Sequence, residues 1–479
     1  MRTTGKLTTC STVDETEALA YSPIHVLAEH LRTGDLTASA LLDCYLERIS
    51  RYDEKLHAFV AIYENEARMA AESADHALRA GRRLGVLHGI PIAYKDLLDI
   101  EGRITSGGSL FWRERVSPVT ATVVQRLMAA GMVTLGKTHM VEFAFGCWGT
   151  NITMGTPWNP WDLHTHRVPG GSSSGSGVAV AAGLAPTAIG SDTGGSVRIP
   201  AALCGVVGLK TTVGRVSNHG VLMLSETLDT LGPVARDVED AALLFTEMHG
   251  PDHNDPKTLS HPSVDVMADL KTGITGLRLA VLSDEELGKI DAEIARAFTL
   301  ALDVMRGLGA RIETLTLPLS YKRLADLAAK IIGAECYRLH REWIDRDDLP
   351  FDANVRDRIR WVTTPPASDY IQVMNERRQT RCDMDGLLRD FDALLLPATP
   401  LAAISLSDVD QTKSPMSRLT RPVNLLDLCA LALPCGFTQK GLPISLQIVG
   451  AGYDEARVLR IGWAFESATD WHKRRPSLF

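Results

Sequence analysis

Between residues 168 and 205 the chain reads VPGGSSSGSGVAVAAGLAPTAIGSDTGGSVRIPAALCG, with glycine and serine gathered in two patches, 170–177 and 191–196. Ordered glycine costs conformational entropy, so this density points to backbone that must approach a ligand closely rather than to core packing. Serine hydroxyls in such loops are candidate nucleophiles, but a hydroxyl is a weak nucleophile at neutral pH without a base in hydrogen-bond reach. Gly171–Gly175 matches the nucleophile-elbow pattern G-x-S-x-G, which needs a strand directly before the serine. The polar, proline-bearing run NPWDLHTHRVPG precedes it instead, so the elbow is set aside. A second match, GMVTLGKT at 131–138, fits the phosphate-loop pattern G-x-x-x-x-G-K-[ST]. Here Leu127–Ala130 end a helical run, Gly131 caps it, and Met132–Leu135 form an apolar strand candidate. Side chains bound for a core cannot also form a glycine-rich phosphate nest, so an NTPase is not expected. His164 and His166 form an H-x-H without a third ligand, which reads as a pair of polar loop histidines, and no metal is expected.

The elements that must position these residues alternate in kind. Ser22 and Pro23 open a helix over Ile24, Leu27, Ala28 and Leu31 that Gly34 stops, and Thr37 opens a second through Ile49. A short strand, HAFVAIY, precedes a third helix that Gly81 ends. From residue 86 short apolar runs alternate with helical stretches, which predicts an α/β fold around a largely buried sheet. The expected organisation is a mainly helical segment, 1–85, packed on a core of 86–479 that carries a helical insertion near 315–390, all within one structural domain.

With 479 residues, 50 Lys+Arg against 58 Asp+Glu and a net charge of −8, the chain has no basic stripe for nucleic acid or an anionic membrane beyond the terminal HKRRP. Its eight cysteines show no C-x-x-C pair, no segment reaches 18 consecutive apolar residues, and the first residues have no apolar leader core. The expectation is a cytoplasmic protein with reduced thiols, needing no cofactor, as a monomer or homodimer.

Six blocks then carry a resemblance: IPIAYKD (90–96), LGKTHMVEFAFG (135–146), PGGSSSGSGVAVAAG (169–183), GSDTGGSVRIPAALCGVVGLKTTVGRVS (190–217), LDTLGPVARDVEDAALL (228–244) and LPCGFTQKGLPISLQIVG (433–450). In order and spacing they resemble the amidase signature family, from about residue 20 almost to the end, and the resemblance implies a central mixed, twisted sheet covered by helices on both faces. The resemblance implies a Ser–cisSer–Lys triad: Ser196 as the nucleophile forming an acyl-enzyme, Ser172 as proton relay after a cis bond to Gly171, and Lys95 as general base. It implies an oxyanion hole from Thr193, Gly194, Gly195 and Ser196, with Gly171, Ser173, Asp192 and Arg198 supporting the loops. Asp192 and Arg198 are read as a structural ion pair rather than as substrate contacts. A lysine base must be neutral, so its pKa has to fall from about 10.4 toward 7–8 through burial. One departure stands out: many family members read G-G-S-S-G-G-S, and this chain has Ser174 where they have glycine.

The expected substrate is a small amide or carbamate. Phe145, Gly146, Cys147 and Trp148 are the nearest candidates for its pocket, and Trp158, Trp161, Tyr337, Trp361 and Tyr370 are further aromatics available to it. Within the family the alternative is the A subunit of glutamyl-tRNA(Gln) amidotransferase, which makes ammonia from glutamine and works with partner chains. Such subunits carry a run resembling SNLSRYDGVRYG, for which AAKIIGAECYRLHREWI stands here, and on that ground a stand-alone hydrolase is expected.

Overall fold

The computed structural model describes residues 13–82, 85–361 and 367–478. Its centre is one sheet of eleven strands: β1 Phe59–Ile62, β2 Pro91–Lys95, β3 Val133–Thr138, β4 Thr187–Asp192, β5 Val207–Lys210, β6 Thr230–Ala235, β7 Arg278–Val281, β8 Arg311–Thr314, β9 Ala393–Pro397, β10 Cys429–Phe437 and β11 Pro443–Gly450. The spatial order is β1-β3-β2-β4-β6-β5-β10-β11-β9-β7-β8. β2 pairs parallel with both β3 and β4, β7 pairs parallel with β8 and β9, and the remaining ladders are antiparallel, so the sheet is mixed. β2, β4, β6, β9 and β11 are buried at every position, which requires cover on both faces. Fifteen α-helices among the described residues supply that cover.

The pseudo-phosphate-loop resolves as its context demands. Met132–Leu135 run into β3, and the fully buried Lys137 side chain donates to Leu98 O (2.6 Å) and Thr105 Oγ1 (2.8 Å), with Asp96 3.6 Å away. The N-terminal segment is stitched to the core because β1 extends the sheet edge beside β3. Two details of the helix reading change. Pro23 rather than Ser22 caps the helix Ile24–Thr33, because the Ser22 hydroxyl is turned back to Ala18 O (2.8 Å) to close a preceding helix, Val13–Ala20, that periodicity missed. Thr37 caps as expected, its side chain accepting the Ala40 N–H at 3.1 Å. The region near 315–390 holds the helices Tyr321–Ile344, Ala353–Trp361 and Ala367–Leu388.

The arrangement has a consequence for chemistry. Parallel neighbours β3, β2 and β4 end together, with Lys95 in register with Thr138 and Tyr94 with Ile189. Crevices beyond the carboxyl ends of such strands are where α/β sheets hold ligands. Both serine patches begin or end at that edge: 191–196 continues out of β4, and 170–177 runs into the buried helix Ser174–Ala181.

Candidate active site

Lys95 is the last residue of β2, and its side chain is fully buried. Its ammonium nitrogen donates to Ser172 Oγ at 2.7 Å and to Ser191 Oγ at 2.8 Å, at the end of β4. Burial pulls the amine down to about 7, while the carboxylates of Asp229 and Asp192 work to keep it charged. The Gly171–Ser172 peptide is cis, as the resemblance implied. Ser196 is 7% exposed and opens on a small chamber of about 30 Å³ that Gly171, Thr193 and Gly194 also line. Among the described residues no hydrogen bond joins the Ser196 hydroxyl to Ser172, so Lys95 and Ser172 of the expected triad touch and Ser196, its expected nucleophile, does not. Catalytic contacts are often open in a protein without substrate and tighten on binding.

The loop after β4 is held by an ionic clamp. The Arg198 guanidinium meets both Asp192 oxygens, at 2.8 and 3.0 Å, and donates further to Thr420 O (3.0 Å), Gln447 Oε1 (2.6 Å) and Asn424 Oδ1 (2.6 Å). Burial alone would raise the Asp192 carboxyl, but Arg198, and behind it Lys210, hold it well below the usual carboxylate range. Neither residue lines the chamber, as befits a structural pair. Asp192 also takes the N–H of Gly195 (2.8 Å) and of Val197 (3.1 Å). Gly195, expected among the oxyanion donors, is therefore spent on the clamp. The amides of Thr193, Gly194 and Ser196 have no acceptor among the described residues. Gly195 instead serves geometry: its φ is +125°, and a Cβ there would lie 2.2 Å from Thr420 Oγ1. Ser173 braces the two patches, its hydroxyl 3.3 Å from both O and N of Ser191.

Asp229 was not singled out from sequence, yet it reaches both halves of the site. Its Oδ1 accepts the Thr193 hydroxyl, and its Oδ2 accepts the N–H of Leu224 (2.7 Å) and Ser225 (3.1 Å). Burial pushes its carboxyl up to about 6, against those hydrogen bonds. The pocket also differs from the expected aromatic one. Phe145, Gly146 and Cys147 do line the chamber, but Trp148 packs away from it, donating to Lys413 O (3.0 Å) within an apolar cluster that holds Val168 and Met416. Trp158 stacks on His166 (4.1 Å), Trp161 bonds Cys204 O, Tyr337 packs on the core and Tyr370 bonds Glu335, so none of these lines the chamber, and the side chain of Trp361 lies outside the described residues. Their places are taken by Ile332, Arg358, Ser414, Ser417 and Arg421, which reach the site from the 315–390 helices and the segment before β10. An outer chamber of about 570 Å³ continues from it past Arg358 and Arg421.

The family model described as Amidase matches residues 40–459. The chain belongs to the amidase signature family. Among curated relatives of this amidase, the A subunit of glutamyl-tRNA(Gln) amidotransferase from Geobacillus stearothermophilus is 38% identical, covering 95% of this chain and 98% of its own. Among solved structures, one described as a vestigial protein complex that reveals the evolutionary origins of an s-triazine catabolic enzyme superposes with a TM-score of 0.88 at 33% identity, over 93% of this chain and 98% of its own. The corresponding amidotransferase chain from Thermotoga maritima superposes with a TM-score of 0.80 at 33% identity, over 94% and 95%. No helix among the described residues is long and apolar enough to cross a membrane, and no group of three His, Cys, Asp or Glu among them is placed to hold a metal.

Proposed function

We propose that this amidase cleaves a small carboxamide through an acyl-enzyme on Ser196. The observation that carries the reading is the fully buried Lys95 amine, drawn down to about 7 and 2.7 Å from the Ser172 hydroxyl. In the neutral form it accepts a proton from Ser172, which takes one from Ser196 as Ser196 Oγ bonds to the amide carbon. The oxyanion that forms is met by the free N–H groups of Thr193, Gly194 and Ser196. The same relay returns the proton to the departing amine, and water then repeats the sequence on the ester.

Which amide it takes is a second question. The names of the curated relatives support glutamine, cleaved in an amidotransferase beside partner chains, better than they support the stand-alone hydrolase expected from the helical region. The test is ammonia release by the purified chain from glutamine and from a panel of primary amides, carbamates and ureido acids, with phenylmethylsulfonyl fluoride labelling read by peptide mass. Labelling at Ser196 with loss of activity is expected, and Ser196→Ala and Lys95→Ala should each lower kcat by at least about 1,000-fold. Inactivation with the label elsewhere, or ordinary turnover by Lys95→Ala, would overturn the assignment. Ammonia from glutamine only when a partner chain is added would establish the amidotransferase form.

A further inference from the structure

Two arginines line the chamber, and neither is paired with a carboxylate among the described residues. Arg421 lies against the oxyanion loop: a Cβ on Gly194 would sit 3.1 Å from its Cγ and 3.7 Å from its Nε. Among the described residues its guanidinium makes no hydrogen bond and no ion pair. Arg358 lies against the opposite wall, where a Cβ on Gly146 would sit 3.3 Å from its Nη1. Arg358 donates to Phe145 O and to Gln411 O (3.2 Å), which are neutral partners, and it too has no ion pair among the described residues.

The surroundings offer no direct ion pair among the described residues, and the nearest carboxylates, Asp352 toward Arg358 and Asp326 toward Arg421, act only from a distance. Cys147, on the chamber wall near both arginines, is kept a neutral thiol because burial raises it. Asp352 is buried and committed to the N–H groups of Ile152 (3.0 Å) and Asn354 (2.9 Å). Asp326 is exposed and paired with Lys322 at 2.6 Å. Asp357 is the carboxylate that lines the outer chamber, and it is exposed at the rim. Burial, and the like charge of Arg358, draw Arg421 below its ordinary value. Two adjacent guanidiniums, partly out of water and without an anion, are a costly arrangement that an incoming carboxylate would relieve. Arginine is also the side chain whose planar fork fits a carboxylate with two hydrogen bonds.

We infer that Arg421 and Arg358 together receive a carboxylate on the acyl chain of the substrate, and that the site prefers acid amides that carry no α-ammonium group. The absence of ammonium follows from the same inventory: the inner chamber has cations and hydroxyls but no acidic side chain to pair with one. This rests on the amide-hydrolysis reading above and narrows it, since glutamine carries the carboxylate but also the unwanted ammonium. Arg421 thereby becomes the specificity-determining residue of the site.

The experiment compares kcat/KM for the monoamides malonamate, succinamate and glutaramate with the uncharged butyramide and with glutamine, on the wild-type chain. At least one acid monoamide should exceed butyramide by about 100-fold or more and exceed glutamine by at least about 10-fold, the scale of one or two charge-assisted hydrogen bonds. Arg421→Gln should shrink the ratio of acid amide to butyramide by about 10- to 100-fold, with most of the change in KM. Glutarate should inhibit the wild-type chain competitively, a measurement that needs no variant to fold. Butyramide or glutamine being preferred, an unchanged ratio in a folded Arg421→Gln, or no inhibition by glutarate would each overturn the inference. If uncharged amides are cleaved and Ser196 is labelled, only the inference falls. If nothing is cleaved and Ser196 resists the reagent, the underlying reading falls.

Discussion

Lys95 can act as a base only when it is neutral, and its ionisation is set by a contest. Burial lowers it to about 7, while Asp229 and Asp192 raise it. The depression from the ordinary 10.5 corresponds to about 5 kcal/mol at 1.36 kcal/mol per unit. That penalty is absent above the unfolded pKa, grows as pH falls, and is complete below about 7. Catalysis should therefore rise with pH through about 7, as the amine loses its proton. Asp229→Asn removes a charge that favours the ammonium, so the rising limb of kcat/KM against pH should move to lower pH, by up to about one unit at the distances and dielectric of a buried pair. A limb that stays in place or moves upward would show that Asp229 does not act on Lys95. At this scale the candidate triad could be named from sequence because short blocks carry its members in fixed order. Asp229 and Arg421 were not singled out, because nothing in their local sequence marks them and their places beside Thr193 and Gly194 arise only when distant segments meet.

At the scale of elements, the helix Ser174–Ala181 is the part whose placement the site tolerates least. It carries the serine patch at its start and is buried along its whole length. Gly175 lets it approach the neighbouring backbone, since a Cβ there would lie 2.2 Å from Ala58 O and 2.4 Å from His139 N. These are backbone atoms at the junctions with β1 and β3, so nothing flexible can yield. Gly175→Ala should therefore destabilise by about 3 kcal/mol or more through overpacking, read as a lowered urea midpoint. Gly386, inside the helix Ala367–Leu388, has nothing within 4 Å of such a Cβ, so Gly386→Ala should instead stabilise by up to about 1 kcal/mol. Equal effects of the two changes would refute the packing argument. Most elements were legible from period and caps, including β1, β3 and the Thr37 cap. The helix Val13–Ala20 was missed because Ser22, a good N-cap by type, is used here to close the helix before it.

For the whole molecule, the first and last thirds are joined through buried carboxylates. Asp240 Oδ1 accepts the N–H of Ile24 (2.8 Å), Glu466 accepts that of Val238 (3.0 Å), and Asp237 caps the helix Val238–Met248. Burial raises all three carboxyls above their usual range, and the like charges of the cluster add to this for Asp240 and Glu466, while Arg236, His25 and His472 face it with partial compensation. A raised carboxyl binds protons in the folded state that it has lost in the unfolded one, so its stabilisation is present at low pH and is lost as pH rises through the folded value. The difference in Tm between Glu466→Gln and the wild-type chain should therefore shift in favour of the variant as pH is raised from 5 to 8. A pH-independent difference would contradict the sign of the shift. By itself the sequence determined the family and the α/β class and named the candidate catalytic residues, because motif blocks and hydrophobic period are local properties of the chain. Only the tertiary structure decided which amides of the loop after β4 remain free, that Trp148, Trp158, Trp161, Tyr337 and Tyr370 stay off the chamber while Phe145 lines it, and that Arg358 and Arg421 face it without a carboxylate partner among the described residues. Those facts depend on which distant groups meet in space, and hydrogen-bond saturation and charge balance are settled only once they have met.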